Sequence, residues 1–594
     1  MATKVAETQA GGGRFVLGPG DPGDCFTPED FSEQHRLIAQ TAEQFATQEV
    51  VPRIDELEHQ NFDVTRALLK KAAELGLTAV DIPEAYGGLG LDFVSSTIVY
   101  DRIAKYASFS VTFGGHTGIG MLPILYFGTE EQKRKYLPKL AASDWVGAYA
   151  LSESGSGSDA LAARARAELS PDGKHYLLNG EKMWITNAGF ADLFTVFAQV
   201  QGDKFTAFLV EKSFPGVSTG AEEKKMGIKG SSTRPLILND ARVPVENVLG
   251  EIGRGHIIAF NILNVGRFKL GAGCAGGARN TLAEAIAYAK QRRAFGRTLA
   301  EFPLVAQMLA GMAIGIYACE SAVYRTVGLI DNRLAGIDKT APEAGTAIRK
   351  ALEECAVECS IVKVFGSEML DRAVDANVQI HGGYGFVQEY AAERAYRDSR
   401  VNRIFEGTNE INRLLIPGQL LRRAMKGELP LLAEVQRTTE ELMSGAGAGA
   451  GSDSGPWAAE TAQAEGVRKL GLLLAGAAFQ KYREALEKEQ EILAGLADLI
   501  SITYLLQSAI LRARKHGGAA APVMAAMTRA LIAEQMDRAE AIAHLLLPRL
   551  AEGDALRAQA AMARRLLKRE LSDTIAVRRE IARAVLEAGR YPLG

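Results

Sequence analysis

The chain has 594 residues, 47% of them hydrophobic and 23% charged, with a formal net charge of −3. That length exceeds what one hydrophobic core serves and points to three or four globular domains. The near-neutral balance excludes a dedicated nucleic-acid binder, which carries a strong basic excess. The five cysteines (Cys25, Cys274, Cys319, Cys355 and Cys359) are odd in number and scattered, and Cys355/Cys359 has no second pair to complete a zinc site. They read as free thiols in a reducing compartment.

Residues 1–26 are glycine-rich at 11–13, lack the apolar core of a secretory signal and are not Arg-rich enough for a transit peptide, so a flexible N-terminus is expected. From 27 to 144 the spacing is helical, with apolar residues three and four apart over Phe31–Ile54 and Val64–Leu75, then a loop at Pro83–Gly90. Phe113–Gly120 holds four glycines in eight positions, which leaves room beside the backbone for another helix or for a ligand. From 145 to 255 the period changes. Tyr176–Gly180, Leu193–Ala198 and Thr206–Val210 are short β-branched and aromatic runs, which predict an antiparallel β-domain, with Asn179-Gly180 as a tight turn. Long Ala/Leu-rich helices return over 256–432, punctuated by Gly296 and Gly382–Gly385.

Residues 433–456 read as a linker, of which Ser444–Gly455 is low-complexity and flexible. Residues 457–594 are helical again and carry 20 Lys/Arg against 16 Asp/Glu, with basic pairs at Arg564-Arg565 and Arg578-Arg579. A solvated helix face is the plain reading of those pairs, and contact with an anionic membrane surface the sharper one. The longest apolar window, Ile492–Leu511, contains Asp498, Ser501, Thr503 and Gln507 and so reads as a core helix rather than a membrane span. The expected fold class is α+β and multidomain: an N-terminal helical domain, a middle antiparallel β-domain, a C-terminal helical bundle and an extra C-terminal helical domain.

Two motifs in the β-region suggest a ligand. Tyr149–Asp159 runs from a strand into serines and glycines, which offer N–H and O–H donors to a flavin edge or a pyrophosphate; a plain Ser/Gly turn would look the same. It is not a dinucleotide-binding fingerprint, because no G-x-G-x-x-G follows a strand and opens a helix. In Lys182–Asn187, Trp184 could wall a flavin ring while Thr186 bonds its polar edge, although an isolated strand of this kind is ordinary core. Further on, Glu406 follows the apolar pair Ile404-Phe405 and precedes Gly407, so desolvation would raise its pKa toward that of a general base. The plain alternative is a loop glutamate before a helix capped by Thr408.

The order Ser152–Asp159, Asn179–Asn187, Arg292–Gly296, Gln379–Gly385 and Phe405–Ile411 resembles the acyl-CoA dehydrogenase family over about Phe31 to Arg423. The resemblance implies non-covalent FAD and three core domains in helix, strand, helix order. It implies that Glu406 is the catalytic base, removing the C2 proton of an acyl thioester while C3 delivers hydride to flavin N5. An FAD ribityl hydroxyl and the Glu406 N–H would stabilise the enolate, one such donor being worth about 3–4 kcal/mol. Some members carry the base on an earlier helix; Gly266 stands there, which leaves Glu406 as the one candidate.

Leu151, Ser152, Ser158, Trp184, Thr186, Thr408 and Glu410 match flavin-contacting positions, and Arg292, Phe295, Gln379, Gly382 and Gly383 match residues that reach the FAD of a neighbouring subunit. Ser158, Arg267, Phe405 and Gly407 match positions near the acyl-CoA substrate. Two departures stand out: Ser152 replaces a frequent Thr but keeps the hydroxyl, and Phe302-Pro303 replaces a frequent Phe-Gln, which puts one cross-subunit hydrogen bond in doubt. His381 has no role assigned on this basis.

The extension and the segment His256–Phe268 resemble the very-long-chain acyl-CoA dehydrogenases. That likeness implies a homodimer, long-chain fatty acyl-CoA substrates in β-oxidation, an electron-transfer flavoprotein as acceptor, and membrane association assisted by the extra domain. With the free thiols and no targeting segment read above, the expected location is cytoplasmic, peripheral to the inner face of a membrane. An oxidase on the same scaffold is a competing expectation, and a non-catalytic assembly or nucleic-acid-associated flavoprotein another. The retained Glu406 and the modest basic excess of the tail argue against the last.

Overall fold

A computed structural model describes residues 11–338, 341, 344–444, 455–516 and 521–594. The N-terminal helical domain contains α1 (Glu33–Phe45), α2 (Ile54–Glu58), α3 (Phe62–Glu74), α4 (Phe93–Ile103), α5 (Ala107–Gly114), α6 (Leu122–Phe127) and α7 (Glu130–Ala141). Polar caps set several starts: Ser32, Asp92 and Thr129 accept backbone N–H groups of α1, α4 and α7. The predicted helix over Phe31–Ile54 is broken by a π-turn at Ala46–Val50 and a 3₁₀ turn containing Pro52, where a proline cannot continue the ladder.

The middle domain is one sheet of β1 (Gly147–Ala150), β2 (Arg166–Leu169), β3 (His175–Thr186), β4 (Leu193–Val200), β5 (Lys204–Glu211), β6 (Val217–Thr219), β7 (Thr233–Pro244) and β8 (Val248–Leu249), in spatial order β6-β7-β3-β2-β4-β5-β8 with β1 also on β4. The sheet is mixed, which corrects the antiparallel expectation: β1 and β2 both pair parallel to β4. The second correction is local. Asn179-Gly180 is no turn but a bulge inside β3, where the register against β7 slips between Leu178 and Gly180. Asn179 bonds Asp240 through both its Nδ2 and Oδ1, and a Cβ on Gly180 would stand 2.8 Å from that of Ala165.

Four long or linking helices form the second helical bundle: α8 (Gly255–Gln291), α9 (Pro303–Leu334), α10 (Ala344–Glu354) and α11 (Ala356–His381). Between α8 and α9 lies a two-stranded ribbon, β9 (Arg293–Ala294) and β10 (Arg297–Thr298). Two further helices, α12 (Ala391–Ser399) and α13 (Asn409–Met425), complete it. The extension is α15 (Ala458–Tyr482), α16 (Gln490–Lys515), α17 (Ala521–Leu550), α18 (Gly553–Leu566) and α19 (Thr574–Ala588), preceded by α14 (Leu431–Ser444). The helix α14 corrects the linker expected over 433–456, because Thr438 and Leu442 are buried and Lys469 pairs with Glu441. Residues 445–454, most of the low-complexity stretch, lie outside the described residues.

The extension does not hang free. Arg512 of α16 is fully buried and bridges Glu29 at 2.6 Å and Glu320 at 2.9 Å. The N-terminal stretch from 11 to 26, expected to be flexible, is held between bundle and extension: Phe15 packs on Tyr504, Arg468 donates to the Val16 carbonyl and Gln507 to that of Phe15. Residues 1–10 lie outside the described residues. Among the described residues two helices, α9 and α16, are long and apolar enough to cross a membrane, and both are mostly buried inside the protein.

Candidate active site

The Glu406 loop joins α12 to α13 through a 3₁₀ turn at Arg400–Arg403, and Glu406 and Gly407 are both left-handed, at φ 58° and 76°. Such a conformation is uncommon for a glutamate and persists only when its surroundings hold it. Three donors do so. Arg267 Nε reaches the Glu406 carbonyl at 3.2 Å, and Lys363 Nζ reaches that of Gly407 at 2.8 Å. Asn412 Nδ2 then lies within 3.3 Å of the carbonyls of Glu406, Gly407 and Thr408. Thr408 caps α13 by accepting the Ile411 N–H at 3.2 Å. The plain reading of Thr408, a cap on the helix that follows Glu406, is realised in this turn.

The Glu406 carboxyl is enclosed. Its Oε2 is shut off from solvent and has no hydrogen-bond partner. Burial pushes its pKa up to about 7, against the opposing pull of the Arg267 and Lys363 cations. A carboxyl that is deprotonated near neutrality and whose lone pairs are unclaimed is suited to take a proton from a weak carbon acid.

This carboxyl opens on a cavity of about 1710 Å³. Leu151, Ser152, Ser158, Trp184 and Thr186 line it from the β-domain, and Arg267, Phe405, Gly407 and Thr408 from the bundle, so these expected positions come together across two domains. Local structure explains Trp184. A second register slip in β3, between Lys182 and Ile185, leaves Trp184 at φ 58° with 57% of its surface exposed. The serine-rich loop is moored beneath it. Lys182 is fully buried and pairs with Glu153 at 2.6 Å, and Glu153 also accepts the N–H groups of Arg164 and Ala165.

The remaining expected positions lie elsewhere. Glu410 is exposed on α13 and does not line the cavity. Arg292, Phe295, Gln379, Gly382 and Gly383 form a separate exposed patch, with Arg292 over the Tyr384 ring at 5.4 Å and Phe295 94% exposed. Within one chain they do not meet the cavity. Pro303 opens α9, where its missing N–H is not needed. His381 is buried at the end of α11, stacked on Tyr288 at 4.0 Å and bonded to the Asn377 carbonyl, a helix-end role.

The glycine-rich stretch is resolved in favour of packing for most of its length. A Cβ on Gly120 would strike β1, and one on Gly115 would strike Thr186; only Gly118 has nothing within 4 Å. Sequence reasoning passed over Lys363, Tyr100, Tyr149 and Asn412. The one available signal was Lys363 itself, a lone charge inside the apolar run Ile361–Phe365.

The cavity's chemistry fits FAD. Ser152, Ser158, Thr186 and Thr408 place hydroxyls around it, and Gly155 and Gly157 leave open space where side chains would stand. The exposed indole of Trp184 offers a flat wall of the kind a ring system covers.

Comparison with known proteins gives the following matches. Family models described as acyl-CoA dehydrogenase N-terminal, middle and C-terminal domains match residues 32–144, 148–241 and 253–421, and a second acyl-CoA dehydrogenase C-terminal domain model matches 466–565. The chain is 50% identical over its full length, and that of the relative, to a probable acyl-CoA dehydrogenase of Bacillus subtilis. It is 41% identical over 353 residues to the human mitochondrial very long-chain specific acyl-CoA dehydrogenase, covering 58% of this chain and 51% of that one. A crystal structure of an acyl-CoA dehydrogenase complexed with FAD from Bacillus anthracis superposes with a TM-score of 0.96 at 50% identity, over 98% of this chain and 99% of the other.

Proposed function

The chain belongs to the acyl-CoA dehydrogenase family and is an FAD-dependent oxidoreductase, and from that premise we propose that it desaturates long-chain fatty acyl-CoA to the trans-2-enoyl-CoA in fatty acid β-oxidation, with Glu406 as the base. The observation that carries the reading is the enclosed, unpartnered Glu406 carboxyl at the head of a two-domain cavity. Glu406 takes the C2 proton, and its backbone N–H is the donor that would stabilise the thioester oxygen as charge develops there. Leu151, Ser152, Ser158, Trp184, Thr186 and Thr408 hold FAD, which when bound supplies the acceptor for the hydride leaving C3. Arg267 and Phe405 close the substrate side, excluding water that would stabilise the Glu406 anion and weaken the base.

We place the acyl chain between α4, α5 and α8. Leu263, Gly266 and Gly273 on α8, Val111 and Gly114 on α5 and Tyr100 on α4 keep partial accessibility although they lie among buried neighbours. Tyr100 is wedged between α5 and α8: a Cβ on Gly114 would fall 2.5 Å from its ring, and one on Gly273 2.9 Å.

We extend the reading to a homodimer in which the Arg292–Phe295 and Gln379–Gly383 patch serves a second copy, and to an electron-transfer flavoprotein as acceptor. We also propose a cytoplasmic enzyme with peripheral membrane contact, for which the fully exposed Leu571 and the nearby Lys568 are the candidate contact. The test is an anaerobic titration of the flavoprotein with acyl-CoAs of graded length. Bleaching of the oxidised flavin band by long-chain thioesters, lost in a Glu406→Gln variant that retains FAD, is the expected result. No bleaching by any acyl-CoA would sink it.

A further inference from the structure

Lys363 is fully buried in the middle of α11, inside the apolar run Ile361-Val362-Lys363-Val364-Phe365. A buried ammonium is ordinarily met by a carboxylate, because a charge taken out of water is costly unless it is paired. Here both bonds go to uncharged acceptors: the Gly407 carbonyl at 2.8 Å and Asn409 Oδ1 at 2.7 Å. Asn409 is in turn fixed by Ser367 at 3.1 Å and Glu368 at 3.2 Å. Both acceptors of Lys363 belong to the turn that carries Glu406, and Glu406 is the charged group with the strongest pull on this ammonium.

The arrangement has a chemical logic. A cation bonded directly to the Glu406 carboxylate would occupy the lone pairs that must receive the substrate proton. A cation bonded to the neighbouring carbonyl holds the strained turn and lends its field while leaving those lone pairs free. Oε2 has no partner, which matches the second arrangement.

We propose that Lys363 is a positioning residue for the base: its ammonium clamps the Gly407 carbonyl and, through space, favours the carboxylate form of Glu406 without binding it. This rests on the reading of Glu406 as proton acceptor given above. The other titratable groups facing the pair are Arg267 and Cys274 from α8, Tyr100 from α4, Tyr149 from β1, Cys359 from α11 and Glu410 from α13. Of these only Arg267 shares the sign of Lys363, and it holds the adjacent Glu406 carbonyl in the same manner.

The test follows the Glu406 carboxyl directly, by infrared difference spectra of the FAD-loaded protein against Glu406→Gln across pH, alongside the pH profile of acyl-CoA-dependent flavin bleaching. In Lys363→Gln, neutral but still a donor, and in Lys363→Met, neither, the Glu406 midpoint rises by about one pH unit. In Lys363→Arg, which keeps the charge, it stays at the wild-type value. The acid limb of bleaching moves with the midpoint while KM for acyl-CoA holds, and Lys363→Met loses more rate than Lys363→Gln because the clamp is gone as well. A midpoint unmoved in FAD-loaded Lys363→Gln overturns the proposal, even if melting temperature or FAD content falls. Should Lys363→Met fail to fold, the Gln and Arg variants decide alone. The infrared midpoint needs no turnover: if it moves while no acyl-CoA is oxidised, the coupling of Lys363 to Glu406 stands and the dehydrogenase reading of Glu406 falls.

Discussion

A Cβ placed on Gly266 would lie 2.6 Å from the carboxyl carbon of Glu406 and 2.6 to 2.7 Å from both its oxygens. The carboxyl therefore rests directly on the α8 backbone, in space that any other residue at 266 would take. Gly266→Ala is expected to displace the carboxyl by the better part of an ångström. Misplacement on that scale lowers kcat on the order of a hundredfold. FAD content should be unchanged, because Gly266 does not line the cavity. Wild-type kcat in the alanine variant would show that the carboxyl is not held where the geometry puts it.

The raised pKa of Glu406, about 7, sets the sign of two pH effects. Activity should rise with pH through a limb centred near 7, because only the carboxylate accepts a proton. Stability should move the other way. The folded protein binds the Glu406 proton more tightly than the unfolded chain does, so this group's contribution falls as pH rises from about 4.5 to about 7. Glu406→Gln should therefore be more stable than wild type above pH 7, by about 1–3 kcal/mol, and lose that advantage below pH 4.5. Thermal melts of both proteins at pH 4.5 and 8 check the sign.

Tyr100 packs between Gly114 and Gly273, and on the proposed acyl path its ring would limit how far a longer chain extends. Tyr100→Ala should move the chain-length optimum upward. Each added buried methylene is worth about 0.8 kcal/mol, so two more should raise kcat/KM for the longer substrate by roughly tenfold relative to wild type. Tyr100→Phe should leave the optimum in place, because the ring and not the hydroxyl sets the limit. A length profile that is the same in all three proteins would place the acyl chain elsewhere.

Arg512 joins the extension to the first 30 residues and to α9 through Glu29 and Glu320, with the Tyr591 hydroxyl also on Glu320 at 3.3 Å. Arg512→Met would leave Glu320 buried with only Arg279 as a cationic partner in reach. Charge-assisted hydrogen bonds of this kind are each worth about 1.5–3 kcal/mol, and the loss should appear as a lower melting temperature with early exposure of the extension to proteolysis. An unchanged melting temperature would mean that the apolar packing of α16 alone secures the extension.

The helix, strand, helix, helix order was legible in the sequence because hydrophobic period is a local property that each segment carries in its own residues. Glu406 was legible as a candidate base only in company: its apolar neighbours and following glycine suit a loop glutamate equally well, and the family resemblance of the surrounding motifs tipped the reading. The Asn179-Gly180 bulge was misread for a related reason. The dipeptide favours a turn in isolation, and only the pairing of β3 with β7 and the close approach of Ala165 make it a slip inside a strand. Residues 11–26 carry no period at all; their order comes from Gln507 and Arg468.

What the sequence by itself determined is the order of the helical and strand domains and the flavin-type motifs, with Glu406 as the candidate base. The tertiary structure alone decided how that base is held. Gly266, Arg267, Lys363 and Asn412 come from three helices and converge on one strained turn. The enclosure that lifts the Glu406 pKa and leaves its oxygen unpartnered is a property of that convergence. Desolvation and field strength depend on distance in space, which no spacing along the chain records.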